Sequence, residues 1–214
     1  MQIPKTVVIS CAGIGSRLGM GTTKALIELG GKPLIIWQLE MLEEVEDIRI
    51  VVGFQAEDVI KTVLPYRRDV LFVFNHNYLS TRTAASLSLG SRHTKNMVVS
   101  LDGDLLIHPE DFKKFLSLDC ECIGYGIPST EEPVYVEIFK GEDGEWAKSF
   151  TREAGGRYEW TGLVQLWPDN IVNTTGHVYQ ILEPQLPIRA MQIRSQEVDT
   201  NADYIKALEW VKNL

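Results

Sequence analysis

The sequence predicts an α/β fold, a Rossmann-like three-layer sandwich with a mainly parallel sheet and a small antiparallel insertion. Three observations lead there. Apolar β-branched runs alternate with amphipathic segments through the first half, the rhythm of βαβ units. A glycine-rich turn follows the first run directly. After about residue 120 the apolar runs shorten and turn residues separate them.

TVVIS, IRIVVGF, VLFVFN and NMVVSLDGD read as strands. PLIIWQLEMLEEV, AEDVIKTVL and TAASLSLGSRH read as the helices between them, with PEDFKKFLSL as a fourth. Right-handed crossovers place all four strand C-termini on one edge, where such sheets bind ligands. The loop 11–24, Gly53-Phe54-Gln55, Asn75-His76-Asn77 and Asp102-Gly103-Asp104 then converge there. CIGYGI, VYVEIFK, EWAKSFTRE and EWTGLVQLW follow as antiparallel strands, with turns at Gly141-Glu142-Asp143-Gly144 and Ala154-Gly155-Gly156. NIVNTTGHVYQILE reads as a further helix, against its β-branched residues and Gly176. IRSQEVDTNADYIKALEWVKNL closes the chain as a strand or turn leading into an amphipathic helix that starts at Thr200-Asn201-Ala202-Asp203.

At 214 residues the chain has length for one sizeable core. Lys+Arg number 21 against Asp+Glu 29, a net charge of -8, which argues against a broad nucleic-acid surface but not against a local basic pocket. Cys11, Cys120 and Cys122 read as thiols of a reducing compartment. No signal peptide and no membrane-spanning stretch is expected, so the expectation is a cytoplasmic protein that works without membrane or nucleic acid. Nothing in the sequence gives an oligomeric state.

CAGIGSRLGMGTTKAL raises the question of which phosphates such a loop binds. In the dinucleotide pattern G-x-G-x-x-G the third glycine is due at Leu18, and Gly19 comes one residue late. Lys24 lacks the glycine before it and the Ser or Thr after it that a P-loop needs. What remains is a loop of small residues with two fixed cations, Arg17 and Lys24, suited to a triphosphate. Backbone N–H groups from Ala12 through Gly13 and Gly15 to Ser16 supply further contacts.

Two acidic groups lie far apart in the chain. Asp102 and Asp104 end an apolar strand, where carboxylates hold a hard metal ion or simply cap a turn. Glu197, Asp199 and Asp203 precede or open the last helix, where Asp199 or Thr200 serves as a cap and Asp203 suits the helix dipole. The metal reading requires Asp199 beside Asp104.

A-G-x-G-S-R-L followed by K-A-L and then G-K-P-L-I-x-x-Q-L-E resembles the nucleotidyltransferase superfamily that activates sugar phosphates and related small phosphate esters. VVGFQAEDVI, FNHNYLSTRTAASLSLG and LDGDLLI extend the likeness. The ending EVDTNADYIKALEWV is similar to the E-I-D-x-x-x-D-Y ending of the short bacterial phosphocholine cytidylyltransferases. The resemblance implies a single domain over 1–214. Residues 1–127 would be a nucleotide-binding half, 128–194 the acceptor-binding part with the antiparallel insertion, and 195–214 a metal-ligand segment and closing helix.

It also implies roles. Arg17 and Lys24 would bind the triphosphate and stabilise charge at the α-phosphorus. Ala12 and Gly13 would line the base, with Thr83 and Ser86 nearby. Asp104 and Asp199 would hold Mg2+, with Asp102 and Glu197 as the alternative in each pair. CTP is the triphosphate the closing segment implies. The chain departs from the family pattern at Cys11 for alanine, at Thr23 for the proline before the lysine, and at Arg82-Thr83 for asparagines. No tryptophan or tyrosine aligns with the aromatic cage expected for choline. Arg152, Tyr158 and Trp160 are the acceptor-binding candidates, with Lys148 and Arg157 as further cations. Each also reads as a solvated charge or as strand packing.

The expected reaction is in-line attack of a small ester's phosphate on the α-phosphorus, releasing pyrophosphate. A phosphate monoester's second pKa is about 6, so no general base is needed. Positioning and charge neutralisation suffice. Two alternatives stand beside it: a GT-A-type glycosyltransferase, which also places D-x-D after a nucleotide-binding sheet, and a non-catalytic nucleotide-binding protein.

Overall fold

Alternate residues of the first parallel strands feed two separate cores, so the sheet is covered on both faces. The computed structural model describes residues 3–214, the side chain of Ser16 excepted. Val7 and Ile9 of β1 (Lys5–Cys11), Ile48 and Ile50 of β4 (Asp47–Val52) and Val99 and Leu101 of β6 (Met97–Asp102) share one core. Helices α1 (Leu34–Glu40), α2 (Ala56–Val63) and α4 (Pro109–Leu116) cover that face through Ile35, Leu39, Val59, Val63, Phe112 and Phe115. Val8, Val51 and Val98 point the other way, under Ala84 and Leu87 of α3 (Thr83–Gly90). This is the period-2 alternation of strands buried on both sides.

β5 (Val70–Phe74), β4, β1 and β6 are parallel neighbours in that order, as the four apolar runs predict. The later strands continue the same sheet. β11 (Tyr158–Leu166) pairs antiparallel with β6, and β8 (Cys122–Gly126) lies beside β11. β12 (Ile188–Gln192) runs parallel to β8, and the hairpin of β9 (Tyr135–Gly141) and β10 (Gly144–Thr151) completes the far side. The order is β5-β4-β1-β6-β11-β8-β12-β10-β9, with β9 also meeting β11.

Two short ladders stand outside this sheet. β2 (Glu28–Leu29) pairs with β3 (Lys32–Pro33) after the glycine loop. β7 (Leu105–Ile107) pairs with β13 (Ser195–Glu197), which leads into α6 (Asn201–Val211). A third core of Leu29, Leu34, Leu106, Val198, Ala207 and Val211 sits beneath α6.

Two expectations change. The helix expected over 170–183 is reduced to α5 (Val178–Leu182). Its upstream part instead lies along the start of α3, where Arg82 N–H donates to Thr175 O and Ala84 N–H to Gly176 O. β-branched residues and Gly176 weaken the helical alternative, and these bonds satisfy the backbone. The strand β12 was not foreseen. Its five residues follow Pro187 closely and bury only Ile188 and Ala190, a pattern too short to stand out. Among the described residues no helix is long and apolar enough to cross a membrane.

Candidate active site

The β7–β13 ladder joins the two acidic groups. Glu197 stands opposite Leu105, and the next backbone bond runs from Val198 N–H to Asp104 O at 2.9 Å. Asp199 therefore arrives beside Asp104, and Asp104, Glu197 and Asp199 offer carboxylate oxygens within 4.8 Å of one another. Asp203 takes the structural part, accepting hydrogen bonds from Thr200 N–H and Thr200 Oγ1 as partner in the capping box of α6. That division of labour leaves Asp199 for the cleft.

Two clamps fix the ladder from outside, one buried and one half exposed. Gln38 of α1 donates through Nε2 to Asp102 O and Leu105 O, both at 2.8 Å, and so holds the turn that carries Asp104. Arg194 grips Asp111 of α4 with Nε at 2.7 Å and Nη2 at 2.9 Å, three residues before Glu197. Asp111 thus does more than favour a helix N-terminus.

The glycine loop brings the cations onto these carboxylates. Gly15 has φ 66°, a left-handed backbone that glycine adopts without strain, and an added Cβ would press on the Lys24 side chain at 3.0 Å. Lys24 Nζ lies 2.5 Å from Asp104 Oδ2 and pairs with Asp199 as well. Arg17 Nη1 lies 2.7 Å from Asp199 Oδ2 and 3.3 Å from Glu132. Thr23 closes the loop, donating its N–H to Gln55 Oε1 at 2.7 Å and its hydroxyl to Gly13 O at 3.2 Å. A proline at 23 could not make the first of these bonds.

These groups line one cleft of about 880 Å³. Ala12, Gly13, Gly15, Arg17, Lys24, Thr83, Ser86, Asp102, Asp104, Arg152, Trp160, Glu197 and Asp199 all border it, so the structure brings together nearly every residue singled out in the sequence. The side chain of Ser16 lies outside the described residues. Tyr158 is a correction: it borders a separate cavity of about 430 Å³ and meets Tyr125 edge-on at 4.9 Å. Tyr158 and Trp160 pack against the same core, but Tyr158 meets Tyr125 whereas Trp160 meets Phe150 and Tyr179, and of the two only Trp160 borders the large cleft. Lys148 pairs with Glu137 on the hairpin, and Arg157 lies over the Tyr158 ring.

His177 and Tyr179 also border the cleft, and sequence reasoning missed them. They lie in the segment read as an ordinary helix, with no spacing to mark them. Gln38 and Glu159 escaped for the same reason, each being a polar residue whose partner is far away in sequence, whereas Gln55 lies in the Gly53-Phe54-Gln55 segment already expected at this edge. Asn75, inside a loop that was singled out, binds Thr81 Oγ1 and Ser86 Oγ through Nδ2 and so shapes the wall near Ser86.

Burial and mutual repulsion of the carboxylates dominate the electrostatics at this end of the cleft. Burial, then the Asp104 charge, raises the Asp102 carboxyl to about 7. The same two causes raise Glu197 to about 9. Burial alone would lower Lys24, but Asp104 and Asp199 outweigh it and hold the ammonium above its usual range. Burial, with Asp104 and Asp102 behind it, pushes the Cys11 thiol up, so that thiol is inert at neutral pH. Asp102, Asp104, Glu197 and Asp199 gather at the end of the cleft where Lys24 and Arg17 lie, and Asp102 Oδ1 is buried without a hydrogen-bond partner among the described residues. An all-oxygen donor set with unrelieved negative charge fits a hard divalent cation.

The family described as MobA-like NTP transferase domain matches residues 7–152. The chain is 28% identical to the choline-phosphate cytidylyltransferase of Streptococcus pneumoniae (strain ATCC BAA-255 / R6), over 96% of this chain and 98% of that one. It is 31% identical to the bifunctional protein GlmU of Aliarcobacter butzleri over 52% of this chain and 26% of that protein. Among solved structures, the CTP:phosphocholine cytidylyltransferase of Streptococcus pneumoniae superposes with a TM-score of 0.76 at 23% identity, covering 98% of this chain and 100% of that one. The inositol-1-phosphate CTP transferase of T. maritima gives a TM-score of 0.79 at 19% identity, covering 99% and 98%.

Proposed function

The chain belongs to the MobA-like NTP transferase domain family and is a nucleotidyltransferase; from this premise we propose that it transfers a nucleoside monophosphate, CMP from CTP, to a small phosphorylated acceptor and releases pyrophosphate. One observation carries the reading: Lys24 and Arg17, delivered by the glycine loop, meet Asp104 and Asp199 on the wall of a single large cleft. CTP is favoured because the relative aligned along nearly the whole chain is a cytidylyltransferase.

Asp104, Glu197 and Asp199 would hold Mg2+, with Asp102 behind them. There it would supply charge neutralisation to the phosphate oxygens and the leaving pyrophosphate. Lys24 and Arg17 exchange their carboxylate partners for phosphate oxygens as the triphosphate binds, and stabilise the charge that builds at the α-phosphorus. Backbone N–H groups of the loop from Ala12 to Ser16 complete the phosphate cradle. Ala12 and Gly13, with Thr83 and Ser86, form the wall for the nucleoside. The acceptor approaches from the Arg152 and Trp160 side, and its phosphate dianion attacks without a general base. No nucleophilic serine or thiolate is required, consistent with the buried, inert Cys11.

The test is pyrophosphate release with Mg2+, offering CTP, UTP, GTP, ATP and dTTP in turn with phosphocholine, phosphoethanolamine, 2-aminoethylphosphonate and sugar 1-phosphates. Release that requires one triphosphate and one acceptor supports the proposal. Stabilisation by a nucleotide sugar alone, with no release, would favour the glycosyltransferase reading instead.

A further inference from the structure

The acceptor side of the cleft carries an excess of unpaired positive charge. Arg82 precedes α3 and Arg152 follows β10, and both border the cleft. The bonds from Arg82 N–H to Thr175 O and from Val178 N–H to Thr83 Oγ1 lace the 175–178 segment onto the start of α3, which sets His177 near Arg82. His177 stacks on Tyr179 at 5.8 Å with 18° between the rings, and the Arg152 guanidinium lies 5.5 Å from the same ring. Burial first, then the charges of Arg152 and Arg82, lowers the His177 imidazole below its ordinary value.

The acidic residues of the same wall are already engaged. Glu159 accepts hydrogen bonds from Ser129 N–H and from the Thr130 hydroxyl, and Glu132 pairs with Arg17. Neither Arg82 nor Arg152 makes an ion pair among the described residues, although the chain as a whole carries -8. An ammonium ligand prefers an open aromatic face. Here Arg152 and His177 lie against Tyr179, while Trp160 meets Phe150 and Tyr179 edgewise.

We propose that the acceptor carries a second anionic group, a carboxylate or a further phosphate, at the end remote from the transferred phosphate, and that Arg82 and Arg152 receive it beside His177 and Tyr179. This rests on the nucleotidyl-transfer reading, which already places the reacting phosphate at the Lys24–Asp104–Asp199 end. Guanidinium groups form charge-assisted hydrogen bonds to such an anion. A cationic tail in the same place meets like charge.

Calorimetry with Mg2+ and α,β-methylene-CTP compares three probes of similar length: 3-phosphoglycerate, glycerol 3-phosphate and phosphocholine. The expected order has 3-phosphoglycerate at least tenfold tighter than the other two, with that advantage lost in both Arg82→Ala and Arg152→Ala. These arginines lie at the surface of the cleft, and an unchanged melting temperature checks each variant's fold. Equal or tighter binding of glycerol 3-phosphate or phosphocholine, no binding of any probe, or 3-phosphoglycerate binding untouched by both variants would overturn the proposal. Pyrophosphate release is scored separately. Absence of release with every triphosphate and acceptor counts against nucleotidyl transfer, whereas release that is fastest with phosphocholine sustains nucleotidyl transfer and sinks the anionic-tail assignment.

Discussion

At the residue scale, Lys24 is tightly held in the cleft, bound between two carboxylates and 15% exposed in its side chain. Lys24→Ala should lower pyrophosphate release by about 10²–10³-fold, the usual effect of removing one preorganised charge-stabilising donor. Turnover within twofold of the parent would remove Lys24 from the mechanism. Asp111 gives a pH prediction. Hydrogen bonds from Arg194 hold its carboxyl at about 2, below the ordinary 3.8. A depressed carboxylate pKa contributes stability above 3.8 that disappears as pH falls towards 2. Arg194 is half exposed, so solvent screens the pair. Asp111→Asn should therefore cost about 1–2 kcal/mol at neutral pH, or roughly 2–8 °C in Tm. Melting temperatures of parent and variant should converge as pH falls from about 4 towards about 2. A gap that stays constant through that window would show that the clamp is not ionic.

At the element scale, the site depends on how closely helices approach the sheet. Gly90 ends α3 against β1 and β4, and a methyl group there would collide with Val8 and Val51. Gly90→Ala should destabilise by about 1–3 kcal/mol through overpacking, seen as a lower denaturation midpoint with an unchanged slope. Gln38 is fully buried in α1, and its two bonds hold the Asp102–Leu105 turn. Gln38→Met keeps the volume but leaves two buried carbonyls unpaired, at a cost of about 2–4 kcal/mol. The same variant should bind Mg2+ more weakly, because the turn it frees carries Asp104; unchanged metal affinity would separate the turn from the site.

At the scale of the whole molecule, the cleft gathers charge from segments about a hundred residues apart in sequence, β7 and β13 among them. Mg2+ alone should raise the Tm, since a ligand at 100 times its Kd stabilises by about 2.7 kcal/mol, and Asp199→Asn should abolish most of that rise. A rise preserved in the variant would move the ion elsewhere. The parallel half of the sheet was legible in sequence because strands buried on both faces read as continuous β-branched runs with amphipathic segments between them. The glycine loop was legible because Arg17 and Lys24 sit at fixed short spacing within it. By itself the sequence determined the α/β class, the sheet edge at which the cleft opens and the residue types available there. Only the tertiary structure decided that Asp199 rather than Asp203 faces Asp104, that Trp160 borders the cleft while Tyr158 does not, and that His177 and Tyr179 join Arg82 and Arg152 on one wall. The physical reason is range: local patterning is imposed residue by residue, whereas a ladder register, the ring partners of Tyr158 and Trp160 and a segment laced onto α3 depend on contacts distant in sequence that no local pattern names.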